Sequence, residues 1–460
     1  MFLSCCVYDL FYCFLHCWGW EYFVQVEDKY GERYQYDCDC YHCVQVPLFH
    51  TVGSNAVFFK LCGQRFFICL NFFVCLKKMV HVSEREEQLP DQVIEKLIEL
   101  MVEHPSVLSL GPGEPDFPLP KPLIAEVKRL SNQINHYSPA GGIRELREAI
   151  CRKVRIDNHI KTSPHNIVVT CGAQEALLLS AACTLDVSEQ ILLPNPGFMG
   201  FLPCFELFNA GIKFYNLKEE NAFEPNPDEI RRQIDPKKTK VILLNSPANP
   251  TGNVISKKIL EEIADIAIQY DLSIFSDEAY EKIVYDGAKH VSIASLNGMQ
   301  DRVFTCQSFS KSFAMCGFRL GYVVAPDGFA GAIKKTHIYT SICAPTVSQK
   351  LGVKALSLPR KYTLDMIKEY DKRRKVIVPR LNAMGLSTPN PKGAFYTFSN
   401  ISHIDESSKR FAFELLKKEK VAVIPGIDFG SEGEGFIRCS FAKKLPVIEK
   451  ALDRIEKFVS

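Results

Sequence analysis

The sequence predicts an α/β fold: a mostly parallel sheet flanked by helices, followed by a smaller α+β domain. Three observations carry this. Short β-branched runs alternate with helical stretches through the middle of the chain. Several of those runs are continuously apolar over four or five residues, the pattern of strands buried on both faces. The last third changes to long charged helices and isolated strands.

In chain order, "LPDQVIEKLIELMVEH" (89–104) spaces its apolar residues as a helix does. The connector "LGPGEPDFPLPKP" is too rich in proline and glycine for regular structure. "KPLIAEVKRLSN" and "GIRELREAICRKV" read as helices around the loop "HYSPAGG". Seven strand-like runs follow: "NIVVT", "QILLPN", "IKFYNL", "VILLNS", "LSIFSDE", "RVFTCQS" and "RLGYVVA". Helices such as "EALLLSAACTL" and "KKILEEIADIAIQY" lie between them. The large α/β domain is therefore expected over 121–345. Residues 79–120 form an N-terminal arm and part of the small domain. Residues 346–460, with "LDMIKEYDKRRKVIVPRLNAM", "GAFYTFS", "VAVIPG" and "GFIRCSF", supply the rest of the small domain.

Composition narrows the function classes. At 460 residues, with 47% hydrophobic and 23% charged residues, the chain can bury two cores. A net charge of +2 gives no sequence-wide pull toward nucleic acid or an anionic membrane. Residues 1–78 differ, with ten of the 18 cysteines and both tryptophans, Trp18 and Trp20. The start lacks a basic segment and a small-residue cleavage site, which argues against a secretory disulfide module. "DCDCYHC" has no second ligand pair at zinc-finger spacing, so no metal is expected. Asp9, Glu21, Lys60, Arg65 and Asn71 interrupt the apolar runs before they reach membrane-spanning length. The expectation is a leader outside the working fold, with Met79 as the true start. The scattered cysteines that follow suit a reducing compartment, and cytoplasm is the expected location.

Ligands of open α/β sheets bind beyond the carboxyl ends of the strands, and four polar clusters sit at such ends. In "VVTCGAQEALLLSA", Gly172 permits a sharp turn, and the amides of Ala173 and Gln174 open a helix toward an anion. In "NSPANPTG", Asn249 is a candidate donor to a ligand oxygen. "IFSDEAYEKIVYDG" puts Asp277 at a buried strand end, where a carboxylate needs a partner such as a cationic ring nitrogen, with Tyr280 three residues on. "SFSKSFAMCGFRLGY" sets Lys311 in a strand-end loop among Ser308, Ser310 and Ser312, with Arg319 bracketed by Gly317 and Gly321. An amine among cationic neighbours and partly desolvated is available as a nucleophile toward an aldehyde. A phosphate site, a ring-nitrogen carboxylate, donors to a ring oxygen and an aldehyde-reactive amine are together what pyridoxal 5′-phosphate requires.

From about residue 85 onward the chain resembles the class I/II aminotransferases of PLP fold type I. The resemblance rests on "GEPDF", "YSPAGGIRELREAI", "GAQEA", "PNPGF", "NSPANPTG", "SDEAYE", "SFSKSFAMCGFRLGY" and "IRCSF", in that order. It implies roles. Lys311 would bond the cofactor aldehyde and later shuttle the substrate Cα proton. Asp277 would keep the ring nitrogen protonated. Tyr280 and Asn249 would bond the phenolic oxygen. Ser308, Arg319 and the turn of Gly172, Ala173 and Gln174 would hold the phosphate, with Tyr137 reaching the phosphate of a neighbouring subunit in a homodimer with shared sites. Phe198 would stack on the ring. Arg438 would clamp the substrate α-carboxylate as a planar fork beside the Gly113 backbone, with Asn249 alongside.

The reaction so implied is transamination between an L-amino acid and a 2-oxo acid. A carbon–sulfur β-lyase of the same fold would use the same lysine and arginine, and a PLP-fold sensor domain would carry an upstream winged helix that residues 1–78 do not suggest. Some aspartate-using relatives place a lysine where Gln174 stands. Aromatic, neutral or mixed specificity is therefore expected over strict dicarboxylate use.

Overall fold

The computed structural model describes residues 106–130 and 134–460, together with 82, 83, 89 and four earlier strands. Chain contacts divide it into two units, Met1–Ser83 and Glu84–Ser460. In the first, β1 (Val24–Glu27) pairs antiparallel with β2 (Arg33–Tyr36), and β3 (Ala56–Leu61) with β4 (Gln64–Cys69). The expectation of a non-participating leader over 1–78 and that of a helix over 89–104 fall mainly outside the described residues.

In the second unit all seven expected strands form one sheet: β6 (Ile167–Thr170), β7 (Gln190–Asn195), β8 (Gly211–Asn216), β9 (Thr239–Asn245), β10 (Ser273–Asp277), β11 (Val303–Ser308) and β12 (Gly321–Val324). Their order is β6-β12-β11-β10-β9-β7-β8. Only β12 runs antiparallel to its neighbours, so the sheet is mixed but mostly parallel. Alternate residues feed different cores. Val169, Leu192, Ile242, Leu244 and Ile274 join one cluster, whereas Val168, Ile191, Leu193, Val241 and Phe275 join another. Both faces are therefore buried, which explains the unbroken apolar runs. Helix Lys257–Gln269 shows how the flanking layer attaches. Ser256 caps it by accepting from Ile259 N, and Leu260, Ile263, Ala264, Ile266 and Ala267 form its buried stripe.

Strands β13 (Tyr396–Asn400), β16 (Phe436–Ser440) and β15 (Ile424–Pro425) make an antiparallel sheet in the order β13-β16-β15. Helices Lys361–Ala383, Ser408–Glu419 and Leu445–Val459 cover it around a further core that includes Tyr370, Ile377, Phe395, Phe411, Ile437 and Leu452. A short parallel pair, β5 (Leu108–Ser109) with β14 (Val421–Ala422), ties the early segment to this region. Among the described residues, no helix is long and apolar enough to cross a membrane.

Because six strands of the large sheet are parallel, Thr170, Asn195, Asn245, Asp277 and Ser308 end along one edge, and the antiparallel β12 begins there just after Arg319. Topology alone thus gathers residues spread over 150 positions of sequence.

Candidate active site

At the end of β6 the chain turns at Gly172, whose φ of 98° favours glycine, and enters helix Ala173–Thr184. A side chain at Gly172 would meet Arg319 Nη2 at 2.8 Å, and one at Gly321 would meet Gly172 C at 2.5 Å and Ala173 N at 2.7 Å. The close approach expected of the glycines around Arg319 therefore holds at Gly321. Gly317 has open space around it. Arg319, itself left-handed at φ 49°, donates to Cys171 O at 3.3 Å and Cys316 O at 3.1 Å. Its guanidinium thus lies against a helix N-terminus, whose first N–H groups have no intrahelical partner. Anion binding is the chemistry available there. Gln174 donates to Gly200 O at 3.3 Å, and a side chain at Gly200 would touch both Gln174 and Phe198. Phe198 packs edge-on against Phe201, with ring centroids 5.4 Å apart.

Lys311 is on a single helical turn, Phe309–Ser312, rather than in an open loop. Ser308 caps that turn, its Oγ accepting from Ser310 N at 3.1 Å. Four residues are too few for helical periodicity to show in sequence. Lys311 Nζ donates to Gly113 O at 2.6 Å and is 5.9 Å from the ring centroids of both Tyr280 and Phe395. Tyr280 OH and Tyr396 OH are 2.6 Å apart. Burial, with the second hydroxyl next, pushes Tyr280 well above the ordinary tyrosine range.

Asp277 is 7% exposed, and its Oδ1 accepts from Ala279 N at 3.1 Å. Burial pushes its carboxyl up to about 6, against the pull of the Ala279 N–H; Glu278 adds to the rise and Lys311 opposes it. Arg438 is 2% exposed, and burial holds its guanidinium below the usual arginine range. Its Nη1 donates to Asn249 Oδ1 at 3.0 Å and its Nη2 to Gly111 O, while Nε has no partner. The carbonyl touching Arg438 is thus that of Gly111, with Gly113 two residues on facing Lys311. Asn249 commits its oxygen to Arg438, so its amide nitrogen is the end free to donate. The guanidinium packs over Tyr396 at 4.4 Å and Phe429 at 4.9 Å.

Lys311, Tyr280, Asn249, Arg438 and Gly113 therefore meet through one residue that sequence reading did not single out. Tyr396 bonds Tyr280, underlies Arg438 and crowds Gly113, where an added Cβ would lie 1.8 Å from its hydroxyl. In "GAFYTFS" nothing separates this tyrosine from ordinary strand core. Tyr137 stands apart. It is 81% exposed, and among the described residues no hydrogen bond, ion pair or ring contact joins it to the others.

Along this edge of the sheet lie a glycine turn with an arginine against a helix N-terminus, a partly buried lysine, a buried carboxyl and a buried arginine. Residues 105–455 match the family described as aminotransferase class I and II. The chain is 42% identical over 380 residues to an aspartate aminotransferase of Pyrococcus abyssi, covering 82% of this chain and 97% of that one. It is 41% identical to aromatic-amino-acid aminotransferase 2 of Thermococcus litoralis, with the same coverage. A solved aromatic aminotransferase from Pyrococcus horikoshii superposes with a TM-score of 0.75 at 42% identity, over 79% of this chain and 98% of that one. The chain belongs to the class I and II aminotransferases, has the fold type I architecture, and is a transaminase.

Proposed function

We propose that the protein is a PLP-dependent aminotransferase acting on aromatic or neutral L-amino acids. The observation that carries the site is the convergence of Lys311, Tyr280, Asn249 and Arg438 around Tyr396 and Gly113. The residues present fit the cofactor. The Gly172 turn with Arg319 and Ser308 is a phosphate cradle that side chains at 172 or 321 would fill. Asp277, a buried carboxyl held near 6, is suited to a cationic ring nitrogen. The unpartnered Arg438 Nε marks a cation not yet fully used by the protein.

When bound, the cofactor supplies a ring that stabilises negative charge on the substrate α-carbon. Asp277 would hold the proton of the ring nitrogen. Arg438, oriented by Asn249 and the Gly111 carbonyl, fixes the α-carboxylate. Lys311 would carry the proton to and from the α-carbon, and its free amine donates to the Gly113 carbonyl. Tyr280, its hydroxyl set by Tyr396, would donate to the ring oxygen.

Gln174 supports the substrate assignment, since it brings no positive charge for a distal carboxylate. A cleft lined mainly by Leu193, Phe198, Phe201, Phe214 and Phe429, with Lys409 and Asp428 also on its wall, adjoins the site. Absorption spectra recorded as amino acids and then 2-oxo acids are added test the reading. We expect larger kcat/KM values for phenylalanine, tyrosine or alanine than for aspartate. A value for aspartate well above all three overturns the assignment.

A homodimer with shared sites is supported by exposed apolar side chains near Tyr137. Tyr339 is 83% exposed and Ile338 and Ile342 lie beside it, on a helix end that His337 ties to Ala140 in the Tyr137 loop. We assign 121–345 to the large cofactor domain, with 79–120 and 346–460 forming the arm and small domain. The cytoplasm is the proposed location, the eight described cysteines being free.

The Asp277 carboxyl gives a pH prediction. Its folded-state value, about 6, lies above the ordinary 3.8. The protein is thus favoured with this group protonated, fully below about pH 4 and progressively less as pH rises through 6. Well above pH 6 the charged, unpaired carboxylate costs about 3 kcal/mol, which a cationic ring nitrogen offsets. Adding PLP should therefore raise Tm more at pH 8 than at pH 5. Equal increments at the two pH values count against the pairing.

A further inference from the structure

The turn carrying Asp277 and Tyr280 has a second set of carboxylates with separate partners. Glu278, whose side chain is fully buried, accepts from Ser276 Oγ at 3.0 Å, Ser292 Oγ at 2.6 Å, Gln307 Nε2 at 3.1 Å and Asn158 Nδ2 at 3.3 Å. His290 Nε2 is 3.1 Å from its Oε2, with the histidine side chain only 7% exposed. Glu281 accepts from Asn158 at 2.6 Å and Gln307 at 2.9 Å and is paired with Lys153. Lys153 in turn donates to Asn158 Oδ1 and Gln307 Oε1, and Lys282 bridges to Asp157. None of these groups bonds the site residues.

Glu278, Glu281 and His290 offer ligand atoms within 4.8 Å of one another, the composition of a cation site. The ammonium of Lys153 already sits on Glu281, however, so the protein supplies that cation itself. What remains is a charged anchor built into the turn that carries the chemistry. Residues 277 and 280 face the lysine and the tyrosine pair, and residues 278 and 281 face the anchor.

We propose that Glu278 and His290 are positioning residues of the transamination, holding from behind the turn that presents Asp277 and Tyr280 to the reacting atoms. This rests on the reading of Asp277 given above. The reasoning is energetic. A fully buried carboxylate with this many donors leaves them all short of an acceptor charge if it is neutralised. The turn then relaxes, and small displacements of catalytic groups are expensive in rate. Electrostatics act in the same place: the Glu278 charge adds to the rise of the Asp277 carboxyl, while Glu278 itself, against the effect of burial, is drawn below the usual carboxylate range by the neighbouring His290 and Ser292.

The test compares Glu278→Gln, His290→Gln and Asp277→Asn as PLP-loaded enzymes. Cofactor content, kcat, KM and the pH titration of the visible absorbance are read for each. The groups facing Asp277 in that titration are Glu278, Lys311, Tyr280 and Cys306; those facing Glu278 are His290, Glu281, Lys153, Cys306 and Tyr322, and His290 also faces Glu281, whose other partners are Lys153 and Lys282. We expect Glu278→Gln and His290→Gln to keep full cofactor content and to lose about tenfold or more in kcat, with KM changed by less than about threefold. The absorbance midpoint should move by about half a pH unit or more. Unchanged kcat and midpoint overturn the proposal, including when Tm falls, since that pattern is what mere structural support produces. Should Glu278→Gln fail to fold, His290→Gln carries the same readings. If Asp277→Asn retains full turnover, the assignment of Asp277 fails first and takes this proposal with it.

Discussion

Lys311→Ala is expected to lose at least about 10⁴-fold in turnover, the upper end of what one positioned acid–base group contributes. It should also lose the visible absorption of lysine-bound cofactor. The amine has two uses in the proposed reaction, as the covalent anchor of the aldehyde and as the carrier of the α-carbon proton. No other described lysine is placed to replace it. Lys153, the other buried amine in this region, is committed to Glu281, Asn158 and Gln307. The fold should tolerate the change. Lys311 is only partly buried on a four-residue turn, its amine donates to Gly113 O at 2.6 Å and more weakly to Cys316 Sγ at 3.9 Å, and Ser308 caps the turn through Ser310. Phosphate-mediated PLP binding should persist through the Gly172 turn and Arg319, so the variant should hold cofactor by dialysis yet release it on denaturation unattached. Retained turnover, or a retained lysine-bound spectrum, would remove Lys311 from the mechanism.

Much of this architecture is legible in the sequence because burial on both sheet faces writes itself as continuous apolar runs. "VILLNS" and "LSIFSDE" place β9 and β10 and also mark where their polar ends emerge. Site residues at those ends, Asp277 and Lys311 above all, stand out because a charge beside a buried run calls for a partner. Tyr396 does not stand out, since an aromatic residue in a strand has the same signature whether it packs or bonds. Gly111 contributes a carbonyl, which no side-chain pattern can announce. Glu278 and His290 are hidden for another reason: charged residues after a strand end normally read as solvated, and only the fold reveals that Ser276, Ser292, Asn158 and Gln307 enclose Glu278 and that His290 lies beside it. Arg319 is legible as a cation, but its left-handed backbone is visible only in three dimensions.

Arg438→Lys is expected to lower kcat/KM for amino acids by about 10²- to 10³-fold while leaving bound PLP in place. The structure shows why a retained charge is not enough. The guanidinium is buried against the rings of Tyr396 and Phe429, with Nη1 on Asn249 and Nη2 on the Gly111 carbonyl. These contacts fix the plane of the fork, and Nε remains without a partner. A lysine ammonium is a point charge without that plane; it cannot satisfy Asn249 and Gly111 and also make a two-point contact with a carboxylate. Losing one charge-assisted bond and the orientation it gives corresponds to about 3–4 kcal/mol, which is the stated loss in rate. Because Arg438 lies outside the phosphate turn and is not bonded to Lys311 or Asp277, cofactor content and its resting spectrum should match those of the parent enzyme. The deficit should appear for every amino and 2-oxo acid tested, aromatic or not, since all share the α-carboxylate. A loss restricted to one substrate class would instead place Arg438 against the substrate side chain.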